Sequence, residues 1–153
     1  LIPMNQADKA VAKYADRVIP LARQLAVNNT LKDGTIDMRS HRDLCIAQRE
    51  HGELLLVTGH AADAADVLSI AHDNIASFMH AYPEDTTSVR DYGRCGASLA
   101  GAFVELDQYD RARATIGTVR ARLIPDDGTA PSNDSAQVLA YCDVLLNTMR
   151  SKE

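Results

Sequence analysis

The chain is predicted to be all-α, an α-solenoid of stacked antiparallel helical hairpins, on three observations. Ser40 to Ala71 recurs, shifted by 48 residues, as Ser88 to Val119, so one structural unit occurs twice. Apolar residues follow helical spacing through most of the chain, as in Ala64, Leu68, Ala71, Ile75 and Phe78. Long alternating runs, which a half-buried strand would need, do not occur. About six helices are expected, the last of them a cap.

The leading helix is placed at 5–28, with Ala7, Val11, Tyr14, Val18, Leu21, Ala22 and Leu25 as its apolar stripe. It reads as the second helix of a unit whose first helix is missing. Its apolar flank should then be covered by an upstream segment, a partner chain, or a second copy in a homodimer. Pro20 has no N–H to bond back to Asp16, so a kink or a helix restart is expected there, an interior proline costing about 3 kcal/mol. Because Leu1 rather than Met opens the sequence, residues 1–153 are expected to be the C-terminal part of a longer protein. Between Asn29 and Asp37, Gly34 followed by Ile36 imitates the centre of an EF-hand loop. The ligand set does not follow: Leu31 occupies a position that needs oxygen, and Ser40 stands where a bidentate Glu belongs. A turn with Gly34 at positive φ is expected, without calcium.

Repeat unit 1 spans 39–82 and unit 2 spans 87–123. In register, Gly52 falls on Ala100, Leu55 on Phe103, Gly59 on Asp107, Ala64 on Ala112 and Leu68 on Ile116. Small residues at Gly52 and Ala100 let the two helices of a unit approach, while Leu55 and Phe103 fill the space beside the contact. The helix from Thr87 carries Gly93, Gly96 and Gly101, each costing roughly 1 kcal/mol against Ala. Gly96 should offset that through close helix packing, whereas Ala97 and Gly101 should face the inner side. Asp63, Asp66 and Asp73 on one second helix oppose Arg111, Arg113, Arg120 and Arg122 on the other; a solvated face is the default reading, and pairing across the unit boundary, as between Asp66 and Arg113, is the sharper alternative. Arg42-Asp43 and Arg90-Asp91 recur at the same place and read as structural, each acid interacting with a helix N-terminus. After a loop from Ile124 to Ser132, Asn133 or Asp134 can cap a last helix over 133–151. Val138, Leu139, Cys142, Leu145, Leu146 and Met149 supply its buried side.

Composition narrows the function classes. The 153 residues fit one domain, and 46% apolar residues suffice for a core. A net charge of −5 argues against a duplex-binding surface, which needs clustered Lys and Arg. Three widely spaced cysteines suit a reducing compartment rather than a disulfide framework. With no apolar run of membrane-spanning length, a cytoplasmic protein is expected.

These features resemble the tetratricopeptide repeat. The small residue in the first helix, the turns Gly59-His60-Ala61 and Asp107-Gln108-Tyr109, and Ala64 and Ala112 in the second helices carry the likeness. A long-period bacterial type is closer still, since Arg42-Asp43-Leu44 and Arg90-Asp91-Tyr92 open the first helices and Pro83 precedes Asp91 by eight residues. Ser40 and Ser88 depart from the pattern, standing where an aromatic is common. The resemblance implies a module of the kind found behind bacterial Ser/Thr protein kinase domains, binding a partner on the concave face of its first helices. Residue by residue, that face would comprise Ile46, Arg49, Glu53 and Leu56 from one unit, and Arg94, Ala97, Gly101, Val104 and Glu105 from the next.

No phosphate loop, zinc-protease motif or nucleophile elbow occurs, so no enzyme, cofactor or metal is expected. His41 and Cys45 share a helix face but are only two ligands, and His41 is read as a surface residue beside a buried thiol. The leading expectation is a protein-interaction module for an extended peptide or amphipathic helix, with charge reversal at Arg49 or Arg94 weakening capture without unfolding the domain. An architectural or self-associating segment is the alternative, and a small all-α enzyme comes last.

Overall fold

The computed structural model describes residues 4–30 and 37–152, and among them the chain is all-helical. In order come α1 (Met4–Lys13), a π-helical turn (Tyr14–Val18), α2 (Ile19–Asn28), α3 (Met38–Val57), α4 (Ala61–Ala81), α5 (Thr87–Glu105), α6 (Tyr109–Leu123) and α7 (Asn133–Lys152). The expected all-α class and the helix bounds hold closely. The expected turn at Gly34 and the calcium reading fall on residues 31–36, outside the described residues. Among the described residues no helix is long and apolar enough to cross a membrane.

At Pro20 the expected restart takes the form of a π turn followed by a new α-helix. The N–H of Ile19 bonds to the carbonyl of Tyr14, five residues back, and Pro20 then lies in the first turn of α2. The wider π turn shifts the hydrogen-bond ladder just where an N–H is missing, so the chain stays helical. At the next junction Asp37 caps α3, its carboxylate accepting from the Ser40 N–H at 3.1 Å.

Cross-helix contacts define the directions. Gln48 meets Asn74 and Gly52 meets Leu68, so α3 and α4 run antiparallel. Gly93 against Leu123 and Gly96 against Val119 give the same relation for α5 and α6. Between units the first helices run parallel: Arg49 reaches Asp91, and Glu53 reaches Arg94 and Ser98. Helix α7 continues this layer, with Asp134 beside Arg90 and Tyr141 beside Gly101. Helices α3, α5 and α7 thus form one layer. In the other, α4 fills the gap between α3 and α5, and α6 the gap between α5 and α7.

Among the described residues the backbones of α4 and α6 stay apart, because each helix packs against the first layer. Arg113 has Asp110 of its own helix at 3.7 Å, and Arg120 reaches Asp143 of α7 at 2.7 Å.

The inter-helix turns repeat atom for atom. Gly59 (φ 83°) and Asp107 (φ 56°) both take the left-handed conformation. The Gly59 N–H bonds Leu56 O and the His60 N–H bonds Leu55 O; the Asp107 N–H bonds Val104 O and the Gln108 N–H bonds Phe103 O. Each turn therefore caps its first helix with the same pair of reverse hydrogen bonds. Close packing follows from the small residues, as expected. A Cβ on Gly52 would lie 2.4 Å from Leu68 Cγ, and one on Gly96 2.4 Å from Val119 Cγ2. The core runs through Leu68, Phe78, Cys95, Ile116, Val119, Cys142 and Met149, all fully buried.

Candidate functional site

The first layer leaves a groove along α3, α5 and α7. One stretch, about 700 Å³, lies against Glu53, Leu56, Gly101, Glu105, Tyr141 and Leu145, together with His60 and Asp63 at the start of α4. The next, about 500 Å³, is bordered by Glu53, Arg90, Arg94, Ala97, Asp134 and Gln137. Both stretches share Glu53, Ser98 and Tyr141, so they form one continuous depression.

Glycine shapes its floor. A Cβ on Gly101 would lie 2.9 Å from the Tyr141 hydroxyl and 3.6 Å from Leu56 Cδ2, so the bare backbone lets Tyr141 fold over α5. Burial, then the nearby Cys142 and Glu105 side chains, raises the Tyr141 phenol above its ordinary pKa, so it remains a protonated donor. In the middle of the groove Glu53 accepts from Ser98 Oγ at 3.3 Å and pairs with Arg94 at 3.6 Å. At the far end Arg90 pairs with Asp134 at 3.7 Å.

Of the nine residues predicted for the concave face, Glu53, Leu56, Arg94, Ala97, Gly101 and Glu105 border this groove. Ile46 instead lines a small apolar gap with Cys45, Ile75 and Phe78, and Val104 belongs to the core. Arg49 is the clearest departure, being only 5% exposed. Its Nη1 donates to Asp91 Oδ1 at 3.2 Å, and Glu53 and Glu50 lie 3.6 and 3.7 Å away. Arg42 and Arg90 add further contacts to Asp91, each at 3.5 Å. Arg49 is therefore a buried tie between the two units, and its charge reversal should destabilise the fold, against the sequence-based expectation that it would not. Asp91 thus has the expected structural role, through ion pairs rather than the helix dipole, since α5 carries no acid in its first turn. Asp43, its counterpart, is exposed.

The contribution of α7 goes beyond the capping role expected from sequence. A signal exists: Ser135, Cys142 and Leu146 follow Ser88, Cys95 and Leu99 at one residue less than the repeat spacing. The buried serines Ser40, Ser88 and Ser135 open the three helices of the layer alike. Tyr141 lies one helical turn from both Val138 and Leu145, which places it at the edge of the apolar stripe.

His41 is also corrected. It is half-buried, edge-on to Phe78 at 5.3 Å, rather than a surface residue. Neighbouring Cys45 is buried, and desolvation, then the charge of Asp91, pushes its thiol up to about 12. No protein-family model, curated protein or solved structure matches the chain.

Proposed function

We propose that the chain is a helical-repeat interaction module, similar to tetratricopeptide repeats, which holds a peptide or helical segment in the α3–α5–α7 groove. The carrying observation is the continuity of the depression across three helices, with Gly101 and Tyr141 at its centre. An extended ligand spanning several helices suits such a shape, since apolar floor and polar rim alternate along it. A cytoplasmic scaffolding or regulatory region of a bacterial signalling protein, such as a Ser/Thr kinase, is the setting the sequence resemblance favours. The role is binding rather than catalysis.

The test is selection of a random dodecapeptide display library on the purified chain. Retained peptides should lose about tenfold in affinity, roughly 1.4 kcal/mol, for Gly101→Met, which fills the floor. That variant should fold, since its new side chain meets the free end of Tyr141 rather than backbone. Peptides indifferent to it would defeat the proposal.

A second reading, self-association, is favoured by one observation. Leu21, Leu25 and Val27 of α2 are exposed, Val27 at 71%. Light scattering of the native chain and of Leu25→Lys would decide it: a mass that rises with concentration only in the native chain supports a homodimer through α2.

A further inference from the structure

We infer that the groove end between α4, α5 and α7 selects an apolar side chain flanked by Lys or Arg. This deepens the interaction reading above and rests on it. At this end the floor is apolar, built from Leu56, Leu106 and Leu145 around Gly101. The charged residues bordering it are all acidic: Glu53, Asp63 and Glu105. Arginines border only the adjoining stretch, where Arg90 and Arg94 already face Asp134 and Glu53.

The three carboxylates are not equivalent. Glu53 is compensated by Arg94 at 3.6 Å and by Arg49 at 3.6 Å. Asp63 and Glu105 have no ion-pair partner among the described residues, and both are exposed. Their positions also differ in local cost. Asp63 lies in the first turn of α4, where an anion is favoured, whereas Glu105 ends α5, where an anion is disfavoured. The structure thus keeps an acid at the α5 terminus against its own helix dipole, immediately beside an apolar floor. A ligand cation would relieve that repulsion while its neighbouring apolar side chain covers Gly101. Complementary charge of this kind governs association rate and partner choice more than total affinity.

The same dodecapeptide library tests this. Selected peptides should be enriched in Leu, Ile, Met or Phe with Lys or Arg within two residues. Binding of those peptides should fall about tenfold for Glu105→Lys and further for Glu105→Lys with Asp63→Asn. Glu105→Lys should be stable, because a cation suits a helix C-terminus, and thermal melting by circular dichroism will verify it. Peptides with neutral or acidic flanks that still lose affinity with Gly101→Met would overturn this inference while leaving the groove reading in place. Peptides insensitive to Gly101→Met, or an empty selection, would overturn both.

Discussion

The contrast between Gly96 and Gly117 shows what a single methyl group means in this chain. Gly96 is buried, and an added Cβ would collide with Val119 at 2.4 Å and approach His72 Nε2 at 3.0 Å. Overpacking of that kind costs about 1–3 kcal/mol, and the better helix propensity of Ala returns only ~1. Gly117 meets nothing within 4 Å on the exposed face of α6. Gly96→Ala should therefore lower the urea midpoint and Gly117→Ala should raise it, the latter by roughly 0.5–1 kcal/mol of stability. Equal effects would show that the α5–α6 contact is looser than described. Arg49 and Asp91 form the second residue-scale test. Removing Asp91 leaves a buried guanidinium short of a counter-charge, so Asp91→Ala should cost about 3–5 kcal/mol, and a double-mutant cycle with Arg49→Met should reveal strong coupling. Additive effects would contradict a direct tie. The histidines set a pH dependence. Burial holds His41, His51 and His72 below 6.5, with Asp73 opposing the shift at His72. As pH falls through about 6.5 the unfolded chain takes up protons first. Stability should thus be fullest above that value and decline as the pH falls further, until the folded chain's imidazoles are protonated too, which melting curves will follow. A melting temperature that rises on acidification below about pH 6.5 would be inconsistent with half-buried neutral imidazoles.

At the scale of elements, much was legible because helices announce themselves by spacing and turns by their neighbours. The repeat aligned Gly59 with Asp107, and both residues adopt left-handed backbone in turns with the same hydrogen bonds. Only Gly59 takes that conformation without cost, so Gly59→Ala should destabilise by about 1–2 kcal/mol, read from denaturant midpoints. At Asp107 the strain is offset by the Tyr109 hydroxyl, which donates to its carboxylate at 2.7 Å. What spacing could not reveal was which polar residues turn inward. Arg49 lies on a helix face that reads as solvent-facing, and its counter-ion Asp91 stands 42 positions away. Likewise α7 was legible as a helix but not as the third member of the groove layer. Its match to α5 is offset by one residue, and the loop before it breaks the pattern. Before Pro20 a break in the ladder was legible but not its form, since a kink, a plain restart and a π turn all accommodate the missing N–H.

For the whole molecule, two layers of unlike character divide the work. Helices α4 and α6 bury their apolar stripes against the first layer, and the small residues of α3 and α5 set how closely the layers approach. All three cysteines are buried, with thiols raised chiefly by desolvation, so they should resist a thiol reagent in the native state and react on unfolding. Fast labelling of the folded chain would show local opening of the core. The proposed role turns on where a peptide would bind. Two surfaces compete: the α3–α5–α7 groove and the exposed apolar side of α2. Amide chemical-shift mapping with a library-selected peptide distinguishes them directly. Perturbations clustered at Glu53, Ser98, Gly101, Glu105 and Tyr141, with α2 unmoved, are the expected result. Perturbations centred on Leu21, Leu25 and Val27, with the groove silent, would contradict the account.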